Sequence, residues 1–170
     1  GFWSLSYGSS DFPRLSVPVA ERCDLRLLLC LDLLDHVGLD AADPRVAIEA
    51  IQAMNASVRN MVFAPAFFGT PFVLFATAFA ALKAGAHSAA LSFGSGGLLY
   101  LLGGLILTMA VNVPMNEALA DVLIPDTIEA AQDIWAAYSP RWQTFNIRRT
   151  FASGGTLALA RLGLFHAARA

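Results

Sequence analysis

MVFAPAFFGTPFVLFATAFAALKAGAHSAALSFGSGGLLYLLGGLILTMAVNV, residues 61–113, carries one formal charge, Lys83, in 53 residues. A bilayer core about 30 Å thick takes about 20 apolar residues as a helix. Met61–Leu82 meets that length, and so does Ser88–Val113. The link Lys83-Ala84-Gly85-Ala86-His87 between them is a tight turn. The stretch therefore reads as two antiparallel membrane helices. A buried hairpin inside a water-soluble bundle is the alternative, and it has to explain a window twice the length of an ordinary globular helix.

The rest of the chain fits the same solvent. Of 170 residues, 56% are hydrophobic and only 14% charged, and the net charge is −2. Such a chain is too apolar to stay disordered. With 11 Lys and Arg against 13 Asp and Glu, it has no basic excess to neutralise phosphates, which excludes a nucleic-acid partner. Phe151–Phe165 is apolar but short and holds Arg161. A basic side chain near a span end can snorkel to the headgroups, so Thr150–Ala168 is expected as a third crossing. Leu25–Leu39 is leucine-rich but interrupted by Arg26, Asp32, Asp35 and His36. Inserting those charges would cost about 2.5–3.5 kcal/mol each, so residues 1–37 read as an atypical segment, interfacial or poorly ordered. Residues 38–170 form the helical membrane domain. The expected fold is all-α: a membrane bundle of three spans plus a degraded first element.

Between the spans, Asp43-Pro44 has the pattern of an N-cap with proline in the first turn. It predicts a helix over Pro44–Asn60 running into the first span. Gln52, Asn55 and Arg59 share one face of it, and Ile51, Met54, Val58 and Met61 a neighbouring apolar face. Pro65 and Pro71 are expected to interrupt the first span. In the second, Tyr100, Gly104, Thr108 and Asn112 recur every fourth residue and form a slowly drifting stripe. This stripe either packs helices, with Thr and Asn as interhelical links, or faces a ligand. Gly96, Gly97, Gly103 and Gly104 leave room for a close neighbour. Val113-Pro114 is expected to end the span. Pro125–Glu129 reads as a capped start of a helix through Tyr138, and Ser139-Pro140 as a restart capped by Ser139. Trp135, Tyr138 and Trp142 suit a membrane–water boundary. Five arginines on the side of residues before Met61 and of 114–150 place that side in the cytoplasm of a bacterial-type plasma membrane.

Several chemistries have no residues to carry them. His36, His87 and His166 are far apart and pair with no Cys, Asp or Glu at ligand spacing. Cys23 and Cys30 make neither a disulfide scaffold nor a zinc site. No glycine loop follows a strand, and there is no Gly-x-Ser-x-Gly elbow. What remains is a set of amides and one arginine at the same predicted membrane edge: Asn55, Asn60, Asn112, Asn116, Asn146 and Arg149. In a half-dry pocket such a set binds and polarises an oxygen anion such as a phenolate or enolate. It can equally be a structural network that satisfies helix ends.

The segments Gln52-Ala53-Met54-Asn55, Arg59-Asn60, Phe67-Phe68-Gly69-Thr70, Asn112-Val113-Pro114-Met115-Asn116 and Trp135…Trp142…Asn146-Ile147-Arg148-Arg149 together resemble the anthrone oxygenase-like family from about Gly38 onward. The resemblance implies a four-helix membrane bundle. It implies oxidation of an anthrone to an anthraquinone with molecular oxygen, without a bound redox cofactor. Asn112, Asn116, Trp142, Asn146 and Arg149 are then the motif positions. On this reading Asn146 and Arg149 are catalytic, and Asn55, Asn60, Thr108, Asn112, Asn116 and Trp142 bind substrate. No metal is expected. The expected partners are the bilayer, a small aromatic molecule and a second copy of the chain. A non-catalytic module binding a lipid or a partner subunit is the competing class. One departure from the family pattern is the charged Arg26–His36 stretch, where a clean first helix belongs. A shifted reading frame before Gly38 would explain it, since leucine codons read one base later give serine or phenylalanine.

Overall fold

The computed structural model describes residues 38–57 and 63–170. The atypical segment 1–37, its reading-frame explanation, Arg59 and Asn60 lie outside them. Everything described is helix and connecting turn. Helix α1 spans Pro44–Ser57, α2 Phe63–Lys83, α3 His87–Leu99, α4 Val113–Ala120 and α5 Ile128–Ala167. Between α3 and α4 the chain does not leave the helix. It widens into π turns at Tyr100–Ile106 and Thr108–Asn112, so His87–Ala120 is one continuous run of 34 residues.

Asp43 starts α1 as expected. Its Oδ1 accepts from the Arg45 backbone N–H at 2.9 Å, and its Oδ2 takes the Arg45 guanidinium at 2.7 Å. These bonds from Arg45 hold the half-buried Asp43 carboxyl below the usual carboxylate range. The α2–α3 hairpin is also as expected. It turns on Gly85, whose φ of +77° suits a residue without a Cβ. Thr127 caps α5 by accepting from the Ala130 N–H at 3.4 Å.

Four proline readings need correction, and each has a physical reason. Pro71 lies inside an unbroken α2 and is fully buried against its neighbours, and Pro65 falls in the first turn, where no intrahelical donor is needed. Pro114 does not end the second span. The Val113 N–H still reaches the Thr108 carbonyl five residues back, and the donorless Pro114 follows where the π register returns to α. Ser139 is no cap, and Pro140 restarts nothing, because α5 runs 40 residues through both. Tertiary bonds bracket that proline. Asp40 Oδ1 accepts from Trp135 Nε1 (2.9 Å) and Ser139 Oγ (2.8 Å), and its Oδ2 accepts from Gln143 Nε2 (2.7 Å). Donors on both sides of Pro140 are thereby tied to one carboxylate.

Helix α3 packs along both α2 and α5. Against α5 the register is antiparallel and tight. A Cβ on Gly155 would lie 2.9 Å from Leu99 Cδ2, one on Gly163 2.9 Å from the Phe93 ring, and one on Gly103 2.6 Å from Ala152 Cβ. The small residues read from the sequence therefore do admit a close neighbour, except Gly104, which makes room for the Tyr100 ring of its own helix at 3.4 Å. Ala152 Cβ is fixed to the helix backbone and cannot swing aside. Gly103→Val is expected to destabilise the bundle by about 1–3 kcal/mol through overpacking. Gly104→Ala, which meets only a movable ring, is the mild control. Thermal melting of the detergent-solubilised protein checks both, and equal melting temperatures would refute the packing argument.

The bundle has two ends. At one, Ala78, Ala86, Ala89 and Phe93 form a small apolar core between α2 and α3. At the other, α1, α4 and the first half of α5 close around Ile48, Ile51, Leu119, Trp135 and Tyr138. Trp135 is thus a buried core residue, not a boundary anchor, because its ring packs into this cluster and its N–H is taken by the Asp40 carboxylate.

Candidate functional site

The antiparallel register that pairs Gly103 with Ala152 brings the Thr108–Asn112 π turn alongside the Trp142–Asn146 turn of α5, and the two stretches pack together. Two of the largest fully buried side chains lie on these two stretches: Asn112, 2% exposed, and Asn146, 1% exposed. The widened helix explains why the stripe stays on one face. Four residues overshoot an α turn of about 3.6 residues but fall short of a π turn, so alternating the two cancels the drift. Gly104, Thr108 and Asn112 are all buried on that face.

Each expected site residue but Asn60 has a definite place. Thr108 Oγ1 donates to the Gly104 carbonyl at 2.6 Å, within its own helix, so it links no helices. Asn116 Nδ2 donates to Asn55 Oδ1 at 3.0 Å, which joins α4 to α1. Tyr138 Oη donates to Asn116 Oδ1 at 2.9 Å, which joins α5 to both. Trp142 is partly buried and stacks on Tyr138, with ring centroids 6.2 Å apart and planes at 25°. Arg149 is partly buried one turn beyond Asn146. Asn60 falls outside the described residues. The structure therefore brings Asn55 and Asn116 into one bonded group around Tyr138, and Asn112 and Asn146 into neighbouring turns of packed helices.

Asn112 differs from the rest. Both its Oδ1 and its Nδ2 are buried and make no hydrogen bond. Asn55 Nδ2 is also buried without a bond. Buried polar groups are nearly always satisfied, and leaving one unmade costs about 1–3 kcal/mol. An amide with both ends unmet, at the end of a π turn, leaves a donor and an acceptor open to a bonding partner.

Three residues outside the sequence-derived set shape this region. Tyr138 anchors the amide group, and burial pushes its hydroxyl pKa up, against a lowering contribution from Asn55, so it stays a donor. Its spacing to Trp142 on one helix face was the available signal. Gln52 Nε2 donates to the Leu119 and Val122 carbonyls at 2.8 and 3.0 Å, closing the C-terminus of α4. Asp40 fixes the Trp135–Gln143 segment, and nothing local in the sequence marks it.

A family model described as anthrone oxygenase matches residues 59–159, more than half of the chain. The chain belongs to the anthrone oxygenase family. The matched segment holds Asn112, Asn116, Trp142, Asn146 and Arg149, and leaves Asn55 outside. No curated protein and no solved structure matches the chain.

Proposed function

We propose that this member of the anthrone oxygenase family lies in a membrane and oxidises an electron-rich phenolic, anthrone-like substrate with molecular oxygen at the Asn112–Asn146–Arg149 region. Support for lipid as the solvent comes from exposure. Ala64–Lys83 and His87–Ala120 are long and apolar enough to span a bilayer, yet only 17% of each apolar window is buried. Phe72 and Leu91 are each 72% exposed, and Phe79 61%. The core helix of a water-soluble bundle would hide such side chains. Cations stacked on aromatic rings supply two edges. Lys83 sits over Phe79 and Arg169 over Phe165 at one end, and Arg148 over Phe145 at the other. Arg148 to Arg169 is 21 residues, about 31 Å of helix, which matches a hydrocarbon core of about 30 Å. On this reading α5 supplies the third crossing, its first half stands in the headgroups and water, and Asn146 lies at the boundary. An apolar aromatic dissolved in lipid would enter there.

The observation that carries the chemistry is the unpaired Asn112 amide. A ligand hydroxyl and the adjoining ring oxygen would satisfy its two ends. Arg149 and Asn146 would hold the negative oxygen of the deprotonated substrate, stabilising the enolate. The carbanion carbon then adds oxygen, and loss of water from the hydroperoxide leaves the quinone: one anthrone and one O₂ give one anthraquinone and one H₂O. The electrons come from the substrate, so the reading calls for no redox cofactor. The protein contributes binding, orientation and charge stabilisation. Membranes carrying the protein are expected to consume anthrone and oxygen one for one, above membranes without it. No excess uptake, with a stable co-purifying lipid or protein, would replace this reading with that of a binding module.

A further inference from the structure

Three rings lie in file along the inner face of α5. Trp142 stacks on Tyr138 at 6.2 Å between centroids, and Tyr138 meets Trp135 at 5.9 Å. Trp142 is one helical turn before Asn146. Tyr138 and Trp135 belong to the buried core, 7% and 5% exposed. At the far end the Trp135 Nε1–H points at the Asp40 carboxylate, 2.9 Å away, and both line a surface groove of about 220 Å³ with Ser139 and Pro140. The file therefore runs from the buried amides to the surface and terminates on a proton acceptor.

We propose that Trp142, Tyr138 and Trp135 form a conduit that carries an oxidising equivalent from the amide site to the surface, where Trp135 and Asp40 trap it. The conduit's use rests on the reading that oxygen is handled at that site, but its operation does not. When carbanion and oxygen react one electron at a time at the amide site, the resulting substrate peroxyl radical takes an electron from Trp142 and becomes the hydroperoxide anion. An electron then passes from Trp135 to Trp142 across the bridging Tyr138 ring, restoring Trp142. The oxidised indole of Trp135 is a far stronger acid than the neutral one. Its N–H bond breaks toward Asp40, an O–H bond forms there, and a neutral indolyl radical remains. A thiolate reaching the groove gives up one electron and leaves as a thiyl radical, and Asp40 returns the proton. The direction follows from the carboxylate at the Trp135 end, which makes that ring the place where loss of an electron and loss of a proton coincide.

The test is transient absorption on the full chain in detergent or nanodiscs, in a Trp3→Phe background so that Trp135 and Trp142 are the remaining indoles. A photogenerated radical cation of a lipid-dissolved polycyclic aromatic is the oxidant, because a water-soluble one would meet Trp135 in the groove directly. The expected long-lived species is the neutral indolyl radical. It should be lost in Trp135→Phe, and in Asp40→Asn it should be replaced by the protonated radical cation. Asp40→Asn keeps the shape of the bonded group, so it stays informative where Trp135→Phe lowers stability. The same radical yield and form in both variants as in the parent would overturn the proposal. A normal conduit in a protein that consumes no anthrone would sink the proposed reaction and leave the conduit standing. Loss of the conduit with anthrone turnover intact would do the reverse.

Discussion

Asn112→Leu is expected to stabilise the purified protein while abolishing most of its activity. This amide is 2% exposed and both its polar atoms lack partners. Leucine has a similar branched shape and nothing to satisfy. Replacing an unsatisfied buried amide by an apolar group removes a penalty of about 1–3 kcal/mol, and for a chain of this size each kcal/mol moves the melting temperature by about 2–4 °C. The same change removes a donor and an acceptor from the proposed ligand. Two lost hydrogen bonds of about 0.5–1.5 kcal/mol each weaken binding by about 5–150-fold, read as a raised KM for anthrone. Opposite signs for stability and affinity separate a ligand site from a packing site. A packing amide would lose stability on substitution and leave KM unchanged.

The second large effect belongs to Arg149. Its proposed work is to stabilise charge that exists only once the substrate has lost a proton, so its removal falls on kcat. Arg149→Ala is expected to lower anthrone turnover in membranes by about 10²–10³-fold, the usual cost of deleting one stabilising donor at a developing oxyanion. Arg149→Lys keeps the charge but not the planar fork, and should fall between. Arg148→Ala is the control. That side chain is exposed and lies on Phe145 at 5.1 Å, so turnover should hold. Unchanged turnover in Arg149→Ala would remove the assigned role.

Much of the fold was legible because it depends on local composition. A 53-residue stretch with one charge makes a hairpin of helices wherever it folds, and Gly85 marks its turn. The prolines misled because their effect is decided elsewhere. A lone proline in a helix costs a bond and a clash, but Pro140 is spanned by donors tied to Asp40, about 100 residues away in sequence. Pro114 is absorbed by a change of helical pitch that no composition signals. The site divided in the same way. Amides near a span end stand out against an apolar background, so Asn112, Asn116 and Asn146 were visible. That Asn116 bonds Tyr138 and Asn55, while Asn112 bonds nothing, depends on how three helices meet. Trp135 looked like an anchor because tryptophan often lies at boundaries, and only its bond to Asp40 makes it core.

The most direct measurement is ligand-dependent melting of the purified protein with a redox-inert anthraquinone, in parallel with Asn112→Leu. A ligand that binds only the folded state raises its melting temperature with concentration. The wild-type protein should rise with added quinone, while the variant begins higher and hardly moves. If both rise alike, or neither responds, the buried amide is not where an aromatic ligand binds.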